Sequence, residues 1–347
     1  MSASITSNPG FNASTTAEEV AAALSSHIAG KTILVTGVSP GGLGAHFAHV
    51  VAAHQPKLLI LAGRSGPKVA ETARELEAAH PGVATRTLEL DLGSQAQVRK
   101  AAAEVLSWPE SIDVLVNNAG IMATPYGKTV DGIESQFGTN HVGHFLFTNL
   151  IIPKLLESKQ GPRVVNVSSD GHRLSDIRWD DLDFQDGKVY NKWVAYGQSK
   201  TANILFSVEL AQRLGSKGLK AFALHPGAIQ TNIGRSADND DFEALHTLDR
   251  AMGHRAGFEG FKWKNLTQGT STYVVAAFDP KLHGEYSCPR YDLDLHWGLP
   301  EHNGAYLQDC QVFAPDGEDL KPYAIDKNSA ARLWSLGEEL VGQRFDF

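Results

Sequence analysis

Residues 31–44 read KTILVTGVSPGGLG: a short, almost continuously apolar run enters a glycine-rich turn that opens into a helical pattern. A strand apolar on both faces is one buried on both faces, as central strands of parallel sheets are. In the turn Thr36-Gly37-Val38-Ser39-Pro40-Gly41-Gly42-Leu43-Gly44, glycines let backbone N–H groups approach a ligand where a Cβ would block them. The positive end of the following helix dipole adds to the attraction for an anion such as a pyrophosphate. No Lys-Ser/Thr pair follows the last glycine, which excludes a P-loop. A plain strand-to-helix turn is the alternative.

The same alternation extends outward. Apolar runs recur at LLILAG (58–63), TRTLEL (85–90), IDVLVN (112–117), RVVNVS (163–168) and LKAFALH (219–225). Helical patterns separate them, from about Gly42, up to about His80, over 94–106, within 130–158 and over 195–214. Strands alternating with helices predict an α/β fold, a doubly wound parallel sheet of Rossmann type. Residues 1–29 form an N-terminal extension with a short helix, TAEEVAAALSSHIAG, whose acidic first turn and closing Gly30 fit helix start and stop signals. Residues 30–347 are expected to form a single dinucleotide-binding domain, with insertions at about 170–194, 226–266 and 281–303. There is no internal repeat.

Composition narrows the function. The chain has 347 residues, 42% apolar and 20% charged, the profile of a globular protein rather than a disordered or fibrous one. Its net charge of −8 and lack of basic runs argue against a nucleic-acid partner. Cys288 and Cys310 lack metal or redox spacing, and neither a membrane span nor a secretory leader is legible. A cytoplasmic protein with no transmembrane segment is expected. His46 and His49 are three residues apart, but no HExxH or carboxylate–histidine cluster accompanies them, so no metal site is expected.

Arg64 follows the second apolar run, where NAD-binding folds place an acid against the ribose hydroxyl. A guanidinium suits a 2′-phosphate instead, through paired charge-assisted hydrogen bonds, and favours NADP(H). Ser39 is a possible helper; Lys68 reads better as a solvated surface residue. Tyr196-Gly197-Gln198-Ser199-Lys200 sets a phenol and an ammonium on one helical face. A neighbouring cation favours the phenolate, which suits Tyr196 to proton exchange with an alcohol or carbonyl oxygen; an ordinary helix pair is the alternative. Ser168 and Ser169 end the fifth run, where a hydroxyl emerges into the ligand crevice and either could orient a substrate oxygen. Asn117-Asn118-Ala119-Gly120 closes the fourth run and Asn140 lies in the next helix; both asparagine clusters could equally be capping turns.

Taken in order, TGVSPGGLG, LAGRS, Asp91-Leu92, NNAG, FGTNHVGHF, VVNVSS, YGQSK with TANILF, and HPGAIQT resemble the short-chain dehydrogenase/reductases over most of residues 15–342, and within them the retinol-dehydrogenase and WW-domain-oxidoreductase-like group. The resemblance implies Tyr196 as proton donor or acceptor and Lys200 as the group that lowers its pKa and binds the nicotinamide ribose. It implies Ser169 holding the substrate oxygen and Asn140 anchoring a water that links Lys200 to solvent. Gly37, Gly42 and Gly44 match the family's glycines, with Leu43 between them. Asp91 and Leu92 would lie near the adenine, and Asn118, Ala119 and Gly120 along the adenosine side. Pro226, Gly227 and Thr231 would border the nicotinamide. The glycine turn departs from the family by one extra residue at Pro40-Gly41, and the 27-residue spacing from Ser169 to Tyr196 exceeds that of the simplest members.

The expectation is an NADP(H)-dependent oxidoreductase moving a hydride between nicotinamide and a carbonyl or alcohol carbon of a small apolar substrate. Trp179, Trp193, Phe258, Phe261 and Trp263 could line its pocket or cover a satellite core. The sequence leaves homo-oligomerisation open. A cofactor-binding sensor without turnover, or an epimerase or dehydratase of the extended family, is the rival reading.

Overall fold

The structure, a computed structural model, describes residues 6–231, 233–234, 239–254, 262–283, 302–313 and 319–347. In chain order the elements are α1 (Ala17–Ala23), α2 (Ser25–Ile28), β1 (Thr32–Thr36), α3 (Leu43–Ala52), β2 (Leu58–Gly63), α4 (Gly66–Ala79), β3 (Thr85–Glu89), α5 (Gln95–Ser107) and β4 (Val114–Asn117). There follow α6 (Ser135–Phe137), a π-turn over Gly138–Val142, α7 (Gly143–Leu156), β5 (Arg163–Val167), α8 (Lys192–Leu214) and β6 (Lys220–His225). The rest are β7 (Ala228–Ile229), α9 (Asn239–Ala251), β8 (Trp263–Lys264), α10 (Leu266–Phe278), β9 (Tyr306–Gln308), β10 (Gln311–Val312) and α11 (Lys327–Val341).

The main sheet runs β10-β9-β6-β5-β4-β1-β2-β3, all parallel except β10 against β9. After β1 the chain proceeds outward through β2 and β3, then returns to place β4 on the other side of β1. That reversal opens a crevice at the carboxyl ends of β1 and β4, the switch point where doubly wound sheets bind ligands. All six apolar runs became strands. β9 and β10 extend the sheet beyond them and are too short, at three and two residues, for a periodic signal.

Strand alternation feeds two cores. Leu34, Ile60, Leu115 and Val164 pack on one face beneath α5, α7, α8 and α11. Ile33, Val35, Leu59, Val116 and Val165 pack on the other against α1, α3, α4 and α10. The N-terminal segment belongs to this second core: Val20, Leu24 and Ile28 are buried in it. A capping box starts α1, with the Thr16 hydroxyl accepting from Glu19 N and the Glu19 carboxylate accepting from Thr16 N. Upstream, the Ser7 amide and hydroxyl donate to Asp279 at 2.8 and 2.7 Å.

Two sequence boundaries shift. α8 starts at Lys192 rather than 195, because the Asn191 carboxamide caps it by accepting from Trp193 N and Val194 N. The extra residue of the glycine turn forms a reverse turn: Gly42 N donates to Ser39 O at 3.1 Å, with Pro40 and Gly41 between and Gly41 at φ +73°. Pro followed by a positive-φ glycine is the signature of a type II turn. Of the expected insertions, residues 232, 235–238, 255–261 and 284–301 lie outside the described residues, and with them Phe258, Phe261 and Cys288. No described helix is long and apolar enough to cross a membrane.

Candidate active site

The crevice floor is built at the ends of β1, β4 and β5. Gly37 leaves β1 at φ +75°, and a Cβ there would stand 2.7 Å from Ala119 Cα, so the two loops touch backbone to backbone. A Cβ on Gly44 would meet Asn118 Nδ2 and Gly37 O. Asn118 itself is a brace: its Nδ2 donates to Thr36 O (2.8 Å) and Gly37 O (3.1 Å), and its Oδ1 accepts from the Tyr273 hydroxyl (3.0 Å). It fixes the glycine turn rather than presenting a free amide. Gly42 caps α3 without any side-chain bond, leaving first-turn N–H groups for an anion. Asp91 Oδ1 accepts from Gly93 N (3.0 Å), and the following Leu92 backbone presses on Gly143. Arg64 is exposed directly after β2, without a hydrogen bond or ion pair to the described residues; Ser39 and Lys68 are also exposed.

Above this floor four polar residues converge. Tyr196 and Lys200 are one turn apart on α8 and buried, with the ammonium 5.5 Å from the phenol ring centroid. Lys200 Nζ donates to Val167 O (3.0 Å), one acceptor for three donors. Ser168 is spoken for, its hydroxyl donating to Lys200 O at 2.7 Å, which leaves Ser169 to face the site. A Cβ on Gly171 would lie 2.8 Å from the Tyr196 ring and 3.3 Å from Ser169 Oγ, so ring and hydroxyl flank that glycine. Burial pushes the Tyr196 phenol up to about 12, and a hydrogen bond with Ser169 pulls it back in part. Burial pulls the Lys200 ammonium down to about 8. In the protein alone burial, not a neighbouring charge, sets the phenol's pKa, so the expected lowering by Lys200 is not what governs Tyr196 here.

Asn140 sits in the π-turn, a distortion often found at functional sites. Its Oδ1 accepts from Ile121 N (2.8 Å), and its Nδ2 donates to Ile121 O and Ser199 Oγ (2.9 Å each). The Ser199 hydroxyl donates in turn to Tyr196 O. A Cβ on Gly120 would come within 3.1 Å of Asn140 Oδ1 and 3.6 Å of Lys200 Nζ, so this glycine lies between them. Pro226 and Gly227 follow β6, and the Lys264 stem crosses where a Gly227 Cβ would stand. Thr231 Oγ1 accepts from Ile233 N (3.4 Å).

A satellite apolar cluster packs against α8, where Leu174 lies against Gly197. Met122, Ala123, Leu174, Trp193, Leu245 and Phe242 form a cluster roofed by α9. Trp193 Nε1 donates to Asp241 O (2.8 Å), and Lys192 pairs with Asp241 (2.6 Å) to tie α9 down. Trp179 is not part of this cluster: it packs against the main core beneath Arg332. Trp263 is 55% exposed. No three His, Cys, Asp or Glu among the described residues are placed to hold a metal, and His46 bonds Thr270 instead. Sequence reading passed over Thr36, Gly171 and His144, although Thr36 and His144 carried a positional signal: the first residue of the glycine turn and one helical turn after Asn140.

A glycine turn and an uncapped helix at the switch point, with a buried ammonium holding spare donors beside them, fit a dinucleotide and define the class of protein. Residues 31–179 match the family model described as short chain dehydrogenase. Human retinol dehydrogenase 14 is 36% identical over 329 residues, covering 90% of this chain and 87% of its own. Short-chain dehydrogenase/reductase prx1 of Penicillium roqueforti is 35% identical over 327 residues, covering 90% and 85%. Among solved structures, an uncharacterized protein from Mycobacterium paratuberculosis is similar at TM-score 0.64 and 32% identity, over 92% of this chain and 96% of that one. NADPH-bound carbonyl reductase from chicken fatty liver shares the fold at TM-score 0.54 and 19% identity, over 83% and 100%. The chain belongs to the short-chain dehydrogenase/reductase family of oxidoreductases.

Proposed function

We propose that this protein is an NADP(H)-dependent oxidoreductase that interconverts an apolar alcohol and its carbonyl compound, with Tyr196 as the proton-exchanging group. The observation that carries the reading is the convergence of Tyr196, Lys200 and Ser169 beside the glycine turn. Bound nicotinamide supplies or takes up the hydride. The protein's share is positioning: Ser169 holds the substrate oxygen against the phenol, and Lys200 keeps positive charge beside it. With its pKa near 12 the phenol is protonated at neutral pH, which suits donation to a carbonyl oxygen. Relatives named retinol dehydrogenases support an alcohol or carbonyl substrate.

Loss of NADPH absorbance against a panel of aldehydes, ketones and enones tests the reading. Tyr196→Phe is expected to lower turnover by roughly 10²–10⁴ while NADPH binding stays nearly intact; undiminished turnover refutes the proton role. NADP(H) rather than NAD(H) is favoured by Arg64, a guanidinium unpaired among the described residues at the end of β2, where an acid would repel a 2′-phosphate. Arg64→Ala should weaken NADPH binding about tenfold or more and leave NADH binding within twofold, read by cofactor fluorescence. Equal losses for both cofactors overturn the assignment.

A further inference from the structure

His144 lies on α7 one turn beyond Asn140, is 1% exposed, and spans two parts of the site. Its Nδ1 is 3.0 Å from Asn140 O and its Nε2 is 2.9 Å from Thr36 Oγ1. A carbonyl oxygen only accepts, so Nδ1 carries the hydrogen. In a neutral ring Nε2 then holds the lone pair, and the Thr36 hydroxyl must donate to it. Burial keeps the ring neutral, pulling its pKa to about 4. The alternative acceptor for the Thr36 hydrogen, Val116 O, is farther away at 3.5 Å. Thr36 Oγ1 also accepts from Asn118 N and Ala119 N, each at 3.0 Å.

These bonds leave one direction for every hydrogen from the glycine turn to the catalytic helix. Asn118 and Ala119 donate to Thr36, Thr36 to His144, and His144 to the Asn140 carbonyl. The Asn140 carboxamide then grips Ile121 and Ser199, and Ser199 holds the Tyr196 carbonyl. With both carboxamide hydrogens used, the main-chain carbonyl of Asn140 is the part of that residue His144 controls. Lys200 lies close enough for its charge to act on the imidazole.

We infer that His144 is a positioning residue, a neutral Nδ1–H imidazole that sets the Asn140 carbonyl relative to Lys200 and couples it to the cofactor-binding turn. The inference rests on the proposed oxidoreductase reading for its effect on turnover, but its tautomer does not. Two substitutions of nearly equal size separate polarity from packing. His144→Asn keeps an N–H donor near the Asn140 carbonyl, whereas His144→Leu keeps none. His144→Leu should lower kcat at least tenfold with the KM for NADPH changed less than twofold, and should shift the alkaline limb of the kcat–pH profile. His144→Asn should recover kcat to within about threefold of the parent. Equal kcat in the two variants, or an unmoved limb in His144→Leu, overturns the proposal.

If His144→Leu fails to fold, His144→Phe takes its place in the same comparison. A readout independent of turnover is the 15N spectrum of histidine-labelled parent protein at pH 7. A protonated Nδ1 with an unprotonated Nε2 is expected for His144, and the opposite tautomer or a charged ring overturns the inference. Absence of any Tyr196-dependent turnover in the parent would remove the oxidoreductase reading while leaving this tautomer test standing.

Discussion

The floor of the crevice and the insertion between Ser169 and Tyr196 solve the same problem, holding a loop in one shape, by opposite means. The floor uses absence: Gly37 and Gly44 omit side chains so that backbones meet, Gly120 so that the Asn140 and Lys200 side chains fit, and one asparagine, Asn118, braces the join. The insertion uses excess. Phe184, Gln185, Asp186 and Gly187 run at φ +56°, +54°, +56° and +82°, a left-handed turn in which three of four residues are not glycine. Each such residue costs about 1–2 kcal/mol. What offsets that cost is a ring of side chains. Phe184 is buried beneath the Arg178 guanidinium, Tyr126 covers Gly187, and Lys128 pairs with Asp183 and Asp186 at 2.8 and 2.7 Å. Tyr190, packed edge-on against Phe184 and Tyr126, bonds Thr124 O and Gln136, whose Oε1 accepts from Ala123 N. The strained turn thereby shapes the loop that carries Met122. Where backbones must touch, nothing can be substituted; where side chains hold a strained path, the path itself can be relaxed.

The sharpest way to break this contrast is Gly37→Ala. A methyl group 2.7 Å from Ala119 Cα at a positive φ should cost about 3 kcal/mol or more and abolish NADPH binding. A denaturation midpoint and cofactor affinity unchanged from the parent would show that the floor yields after all.

Lys200→Met tests whether the polar residues above the floor carry a cost for their chemistry. The folded protein holds this ammonium at a pKa near 8 against an ordinary 10.5, so burial of the charge opposes folding by roughly 3 kcal/mol at neutral pH. Because the unfolded chain binds the proton more tightly, the opposition is full below about pH 8 and fades as pH rises toward 10.5. Val167 O keeps the Asn203 carboxamide as a donor when the lysine is removed. The variant should therefore be inactive yet more stable by about 1–3 kcal/mol at pH 7, a gain that shrinks at pH 10. Urea titrations at both pH values check it, and a gain independent of pH contradicts the assignment. For the parent, turnover should fall as pH rises through about 8 and the ammonium is lost.

The smallest effect belongs to the insertion. Gln185 is exposed and contributes only backbone bonds, its N–H donating to Asp181 Oδ1 and its carbonyl accepting from Lys188 N. Gln185→Gly should stabilise the protein by about 0.5–1 kcal/mol, since glycine adopts the left-handed region freely but loses more entropy on folding. A loss of stability would mean the turn is not strained.

The contrast also marks what could be read before the structure. β1, β2, β4, β5 and β6 were legible because burial on both faces forces apolar runs, β3, at the sheet edge with only Leu88 buried, from its place in the strand–helix alternation, and the glycine turn because only glycine permits that approach. Tyr196, Lys200 and Ser169 were found through spacing and family resemblance, and the structure brings them together; spacing could not foretell that burial raises the pKa of the phenol. The left-handed turn was hidden because Phe-Gln-Asp carries no local signal for it; distant partners such as Tyr126 and Lys128 impose it. The resemblance sets Asn118 along the adenosine side of the cofactor; the structure adds a brace that sequence could not supply, because it depends on Tyr273, 155 residues away.

The first helix raises a question of timing. Ser7 and Ala17 are anchored by Asp279 and Thr267, partners 272 and 250 residues downstream. At about 5–20 residues per second of synthesis, the amino-terminal segment emerges from the ribosome some tens of seconds before its docking surface exists. An apolar stripe that includes Val20, Leu24 and Ile28 must stay solvated or shielded through that interval. A segment made early is thus among the last to settle.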